Sequence, residues 1–152
     1  MTYAWRVDMT IGLTLALVAV SLLAGLAYKL FHGRGHRVLG AEVVDLAKLK
    51  VHKNGDPVTE FGAKATLVLF STKYCGQCPA VRRALAKLAH RHGSLLFIEA
   101  DITDRLDLAA HFNITQTPTI FVLNHRGEIR YRVGGTPKTN TIETELAKLG
   151  AL

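Results

Sequence analysis

Thr66-Leu67-Val68-Leu69-Phe70 leads into Tyr74-Cys75-Gly76-Gln77-Cys78, and Val81, Ala84, Leu85, Leu88 and Ala89 follow. The first five residues are a continuous apolar run, the pattern of a strand buried on both faces. The last five fall at i, i+3, i+4, i+7 and i+8, the apolar stripe of a helix, with Arg82, Arg83 and Lys87 off it. The two cysteines, the only ones in 152 residues, therefore sit where a strand turns into a helix. At such a junction the unpaired N–H groups and the positive end of the helix dipole favour a thiolate on the first sulfur, and the thiolate is the attacking form. The second sulfur, one turn away, is close enough to displace a mixed disulfide. The spacing reads as a redox dithiol. Half of a zinc site, a soft-metal site and two inert cysteines are the competing readings. A zinc site needs four ligands, and His90 and His92, which could be proposed as the other two, fall about 18–20 Å away at the far end of the same helix.

The alternation continues downstream. Leu95-Leu96-Phe97-Ile98 predicts a second buried strand, and Asp104 to Phe112 predicts a short helix that Asn113 could stop. Ile120 to Leu123 and Glu128 to Val133 predict a hairpin about Asn124-His125-Arg126-Gly127, while Ile142, Leu146 and Leu149 line a last helix. Gly93 is expected to cap the helix after Cys78, and Lys53-Asn54-Gly55-Asp56-Pro57 to form a turn. Val43 to Val51 is ambiguous. Thr117-Pro118-Thr119 stands at the mouth of Ile120-Phe121-Val122-Leu123, where a proline implies a fixed peptide bond, cis or trans, rather than a central-strand residue. Strands alternating with helices and closing in a hairpin predict an α/β domain, a central mixed β-sheet with helices on both faces.

Taken together, the strand, Cys-Gly-Gln-Cys, helix, strand, helix, Thr-Pro before a strand, hairpin, Gly134-Gly135 and last helix make residues 41–152 resemble the thioredoxin family. The resemblance implies a thioredoxin-like fold and a thiol–disulfide oxidoreductase of the protein-disulfide reductase type. It implies no metal and no bound cofactor beyond the redox-active Cys75–Cys78 pair. Cys75 would be the exposed nucleophile and Cys78 the more buried resolving cysteine. Gly76 lets a client backbone approach, Gln77 replaces a common proline, Tyr74 stands where thioredoxins usually have tryptophan, and Pro79 where they often carry a basic residue. Thr117-Pro118 matches the family's cis-proline loop, in which the residue before the proline pairs its backbone with an extended client. Val133 and Gly134 would form the adjacent wall, Gly134 being small enough for a client to approach.

Two positions depart from the family. The acid that thioredoxins bury six residues before the first cysteine is Leu69 here, and their lysine on the next strand aligns with Glu99, which becomes a candidate for proton transfer. Clients would be protein disulfides, electrons would come from an unidentified thiol or dithiol donor, and the chain would act as a monomer. The alternative is a client-binding module or a soft-metal (copper) chaperone using the same thiolates, a reading that the missing acid keeps open.

Ahead of this domain, Met9 to Tyr28 carries no charge and is long enough to cross a bilayer. It divides the rest into a tail, 1–8, a transmembrane helix, 9–28, in contact with lipid, and a basic linker, 29–40. A signal sequence cleaved near Gly25-Leu26-Ala27 is the rival, but the apolar stretch exceeds a usual signal and Asp8 offsets Arg6. Lys29, Arg34 and Arg37 follow the stretch, against Arg6 and the terminal amine before it, so the positive-inside rule predicts a single-pass protein with its domain in the cytoplasm. The net charge is +7 without a dense Lys/Arg run interleaved with aromatics, so nucleic-acid binding is not expected. Arg82, Arg83 and the juxtamembrane cations are expected to face solvent or anionic head groups.

Overall fold

In a computed structural model of the chain, residues 2–31, 36–37, 42–53, 56–137 and 140–152 are described. They fall into two compact units, one up to His32 and one from Gly33 onward. The first unit is α1 (Thr2–Phe31). Its apolar part, Thr10–Lys29, has every side chain exposed, and its length and composition suit a membrane span or a signal sequence. Twenty residues at ~1.5 Å each cover about 30 Å, the thickness of a hydrocarbon core. Thr14 Oγ1 donates to the Ile11 carbonyl at 2.9 Å and Ser21 Oγ to the Leu17 carbonyl at 2.8 Å. Satisfying polar groups within the helix is what lipid demands.

The second unit runs β1 (His36–Arg37), α2 (Leu46–Leu49), β2 (His52–Lys53), β3 (Asp56–Pro57), β4 (Ala65–Ser71), α3 (Cys78–Arg91), β5 (Leu95–Asp101), α4 (Leu106–His111), β6 (Thr119–Asn124), β7 (Ile129–Gly134) and α5 (Thr141–Lys148). Among the described residues one sheet has the order β1-β7-β6-β4-β5, with β4–β5 parallel and the other pairs antiparallel. β4 lies inside it, which explains its uninterrupted apolar sequence: every residue from Ala65 to Ser71 is buried. Alternate residues serve two cores. Val68 and Phe70 pack with Leu46 and Leu49 of α2 and Leu108 of α4, and the rings of Phe112 and Phe121 lie 5.5 and 4.9 Å from that of Phe70. Leu67 and Leu69 pack with Val81, Leu85 and Leu88 of α3 and Ile142 and Leu146 of α5. This is the mixed sheet with helices on both faces that the sequence predicts.

The short elements differ from expectation. α3 ends at Arg91 and is capped by His92, in extended backbone, whose N–H donates to the Ala89 carbonyl; Gly93 has no left-handed φ. The Leu95 N–H, bonded to the His92 carbonyl at 2.9 Å, turns the chain straight into β5 and leaves no call for a glycine cap. Asn113 does stop α4, with φ 47°. The ambiguous stretch holds a bridge from Val43 to Glu128 and the four-residue α2, too short for a period to show; Asp45 caps its start and left-handed Lys50 its end. Asn54 and Gly55 lie outside the described residues, and β2 pairs with β3 on either side of them. β1, in the stretch expected as linker, pairs with β7.

Candidate active site

After Ser71 the chain makes two consecutive turns. The Cys75 N–H donates to the Thr72 carbonyl at 3.2 Å, and the Cys78 N–H to the Cys75 carbonyl at 3.3 Å. Cys78 opens α3, Gln77 is its N-cap, and Pro79 sits in the first turn, where a missing N–H is tolerated. Cys75 therefore stands two residues ahead of the N-cap rather than in the helix itself. The cysteines are joined in a disulfide, with S–S 2.02 Å and Cα atoms 5.4 Å apart. Cys75 is half-buried and Cys78 only 1% exposed, so the first is the one open to solvent. Gly76 and Gln77 are exposed, and Tyr74, next to Cys75 in the chain, is 88% exposed instead of packing as a strand-end aromatic.

Two further loops meet this one, because β4 and β7 end and β6 begins at the same edge of the sheet, with Phe70 opposite Thr119 and Thr119 opposite Gly134. The Thr117–Pro118 peptide is cis. Thr119 Oγ1 donates to the Gln116 carbonyl at 2.7 Å, and the Gly135 N–H to the Pro118 carbonyl at 2.7 Å. The hydroxyls of Thr72 and Thr117 lie 3.4 Å apart, linking the cysteine and proline loops. Thr136 Oγ1 donates to Gln77 Oε1 at 2.7 Å, linking the segment after β7.

Two details bear on the expected wall. Val133 is wholly buried in the core under α3 and α5, because alternation along β7 turns it inward, so only its backbone is available to a client. Beside Gly134 lies the amide end of Gln116: a Cβ at Gly134 would come 2.3 Å from Gln116 Nε2. Gln116, itself exposed, covers that part of the wall.

Glu99 lies beside Leu69 in register, and Leu69 is fully buried. Its Oε1 accepts from Ser71 Oγ at 2.6 Å and from Arg82 Nη2 at 2.7 Å, and its Oε2 from Arg82 Nε at 2.5 Å. Arg82 is exposed, as the sequence suggests, but its guanidinium is paired with Glu99. The hydrogen bond to Glu99, and secondarily its charge, hold the guanidinium above its ordinary pKa against partial desolvation. The loop before Cys75 is braced from below: the Lys73 N–H donates to Thr103 Oγ1 at 2.9 Å, while Thr103 donates to Asp101 Oδ1 through its hydroxyl at 2.5 Å and its N–H at 2.8 Å. The Thr103 hydroxyl first, then its N–H, hold the Asp101 carboxyl below the usual carboxylate range, with help from Lys73 and Arg82.

The sequence reading missed Thr72, Thr103, Gln116 and Thr136, for which no local signal exists. For Arg82 there was one: it lies four residues after Cys78, on the same helical face, with an acid on the following strand.

The thioredoxin family profile matches residues 46–148. The chain belongs to the thioredoxin family. Among curated relatives, the thioredoxin of Mycoplasma genitalium is 32% identical over 84 residues, covering 55% of this chain and 82% of that one. Thioredoxin H2 of Arabidopsis thaliana is 34% identical over 88 residues, 58% of this chain and 65% of that protein, just under two thirds of its length. The crystal structure of thioredoxin NaTrxh from Nicotiana alata superposes with a TM-score of 0.50 at 24% identity, covering 57% of this chain and 73% of that one, which shows the shared fold. With Cys75 and Cys78 in a disulfide, this is a thioredoxin-family redox protein, and membership carries thiol–disulfide oxidoreductase chemistry in general. α1 lies ahead of the matched thioredoxin segment.

Proposed function

We propose that this protein is a membrane-tethered thiol–disulfide oxidoreductase that reduces or exchanges protein disulfides through Cys75 and Cys78. The observation that carries the reading is the asymmetry of the pair, one cysteine open and the other buried. The Cys75 thiolate attacks one sulfur of a client disulfide; that bond breaks, and the other client sulfur leaves as thiolate and takes a proton. Cys78, once deprotonated, attacks the Cys75 sulfur, releases the second client thiol and closes the Cys75–Cys78 disulfide. A thiol or dithiol donor then returns two electrons. The client lies extended along the backbone of Thr117 beside Pro118, over Tyr74, Gly76 and Gln77. The domain works as a monomer, held at the bilayer by α1, with the cations that follow it keeping the domain on the cytoplasmic side.

Insulin reduction by the detergent-solubilised full chain, with dithiothreitol as donor, tests the activity. Cys78→Ser should accumulate mixed disulfides on Cys75, and Cys75→Ser almost none. Equal trapping by both variants, or tight Cu(I) binding by the reduced protein without insulin turnover, would displace this reading in favour of a holding or metal-carrying role.

A further inference from the structure

One turn along α3 from Cys78 is a partly exposed charged pair that the exchange reaction as written does not use. Arg82 follows Cys78 by four residues on α3, so their Cβ atoms lie about 5–6 Å apart on one helical face. Glu99 reaches across from β5 and holds the guanidinium with both oxygens, while Ser71 at the end of β4 donates to the same carboxylate. The family's buried acid is absent, Leu69 filling that place with no exposed surface. The other charged groups nearby are engaged or open to solvent. Asp101 on β5 is held by Thr103, Lys73 in the cysteine loop pairs with Asp104 at 3.4 Å, and His52 and Lys53 on β2 line the outer side of an open groove of about 560 Å³ that reaches Ser71, Glu99 and Arg82.

The geometry points to Glu99 as a positioning residue that masks Arg82: by neutralising the one cation placed a helical turn from Cys78, it keeps the resolving sulfur a thiol until Cys75 has captured a client. This rests on the exchange reaction proposed above. Freed from Glu99, a guanidinium on the same helical face would favour the Cys78 thiolate, leaving two nucleophiles in the reduced protein. An unmasked carboxylate would do the reverse. Glu99 contributes charge and not a proton site, and the proton that Cys78 loses passes to water.

The test is a charge cycle on the full-length chain in a Cys75→Ser background, where Cys78 is the only thiol. Its titration is followed by thiolate ultraviolet absorbance and by iodoacetamide alkylation against pH. Glu99→Gln should move the Cys78 titration down by about one unit, and Arg82→Met should move it up by a similar amount. The double variant should return close to the parent. A one-unit shift changes the thiolate fraction about tenfold at pH values below the titration. A purely structural role would move both single variants in the same direction, or neither, and either result overturns masking. In the two-cysteine protein, Glu99→Gln should carry the pH profile of mixed-disulfide release to lower pH. If it slows release at every pH instead, Glu99 takes the proton and masking is wrong. Failure of the parent to release mixed disulfides would count against the exchange reaction itself, and the Cys78 titration distinguishes that outcome because it needs no client.

Discussion

Leu69 occupies a position whose surroundings explain an apolar residue. It is fully buried between α3 and the sheet, beside Cys78's helix, where a carboxylate would have to be desolvated. Leu69→Asp should lower stability by about 2–4 kcal/mol in denaturant titrations near neutral pH. The loss should shrink toward acid. A buried aspartate has its folded pKa raised, so the folded state binds the proton more tightly and the penalty grows as pH rises past the unfolded value of about 3.9. Leu69→Asn serves as the pH-independent control. If the two variants run parallel at every pH, the acid has found a partner and the site is not apolar. At this scale the pair was legible: Cys75 and Cys78 are three positions apart at a strand-to-helix junction, and that spacing is written in the chain. Their hydroxyl neighbours were not, because serine and threonine carry no signature of what they will bond.

Among the elements, the end of β5 supports the loop that carries the nucleophile, through Asp101, Thr103 and the Lys73 N–H. Asp101 has a depressed folded pKa, so the unfolded chain takes up the proton first as pH falls. The stabilisation is fully present above the ordinary aspartate value of about 3.9 and is lost as pH drops through the lower folded value. Thermal unfolding of wild type and Asp101→Asn should therefore differ near neutrality and converge in acid. A gap that stays constant to the lowest pH would show that Asp101 acts by packing and not by charge. β4, α3, β5 and the β6–β7 hairpin could be read from their periods. α2, four residues long, and β1, two residues long, could not, since they are shorter than one repeat of any pattern and exist only because a neighbour pairs with them or caps them.

For the whole molecule, the division at residues 32 and 33 makes a direct prediction. A fragment beginning at Gly33 should be soluble, unfold cooperatively and keep insulin reductase activity, because both cores and the cysteine loops lie within it. The full chain should sediment with membranes and stay there through alkaline carbonate washing. Release by carbonate would show that α1 is not an anchor. In intact cells, an impermeant thiol reagent should leave Cys75 unlabelled; labelling would place the domain outside.

The dithiol at a strand-to-helix junction, the buried runs flanking it, the proline before a strand and the long apolar helix were all decided by sequence, because each is a pattern within a few neighbouring residues. The pairing of Arg82 with Glu99, the inward turn of Val133, the amide of Gln116 over Gly134 and the threonine links between loops were decided only in three dimensions. All of them depend on how β4 is registered against β5 and β6, and β6 against β7. A shift of one residue in any of those pairings would turn every side chain on the strand to the opposite face, and which residues then meet across strands is fixed only when the strands pair.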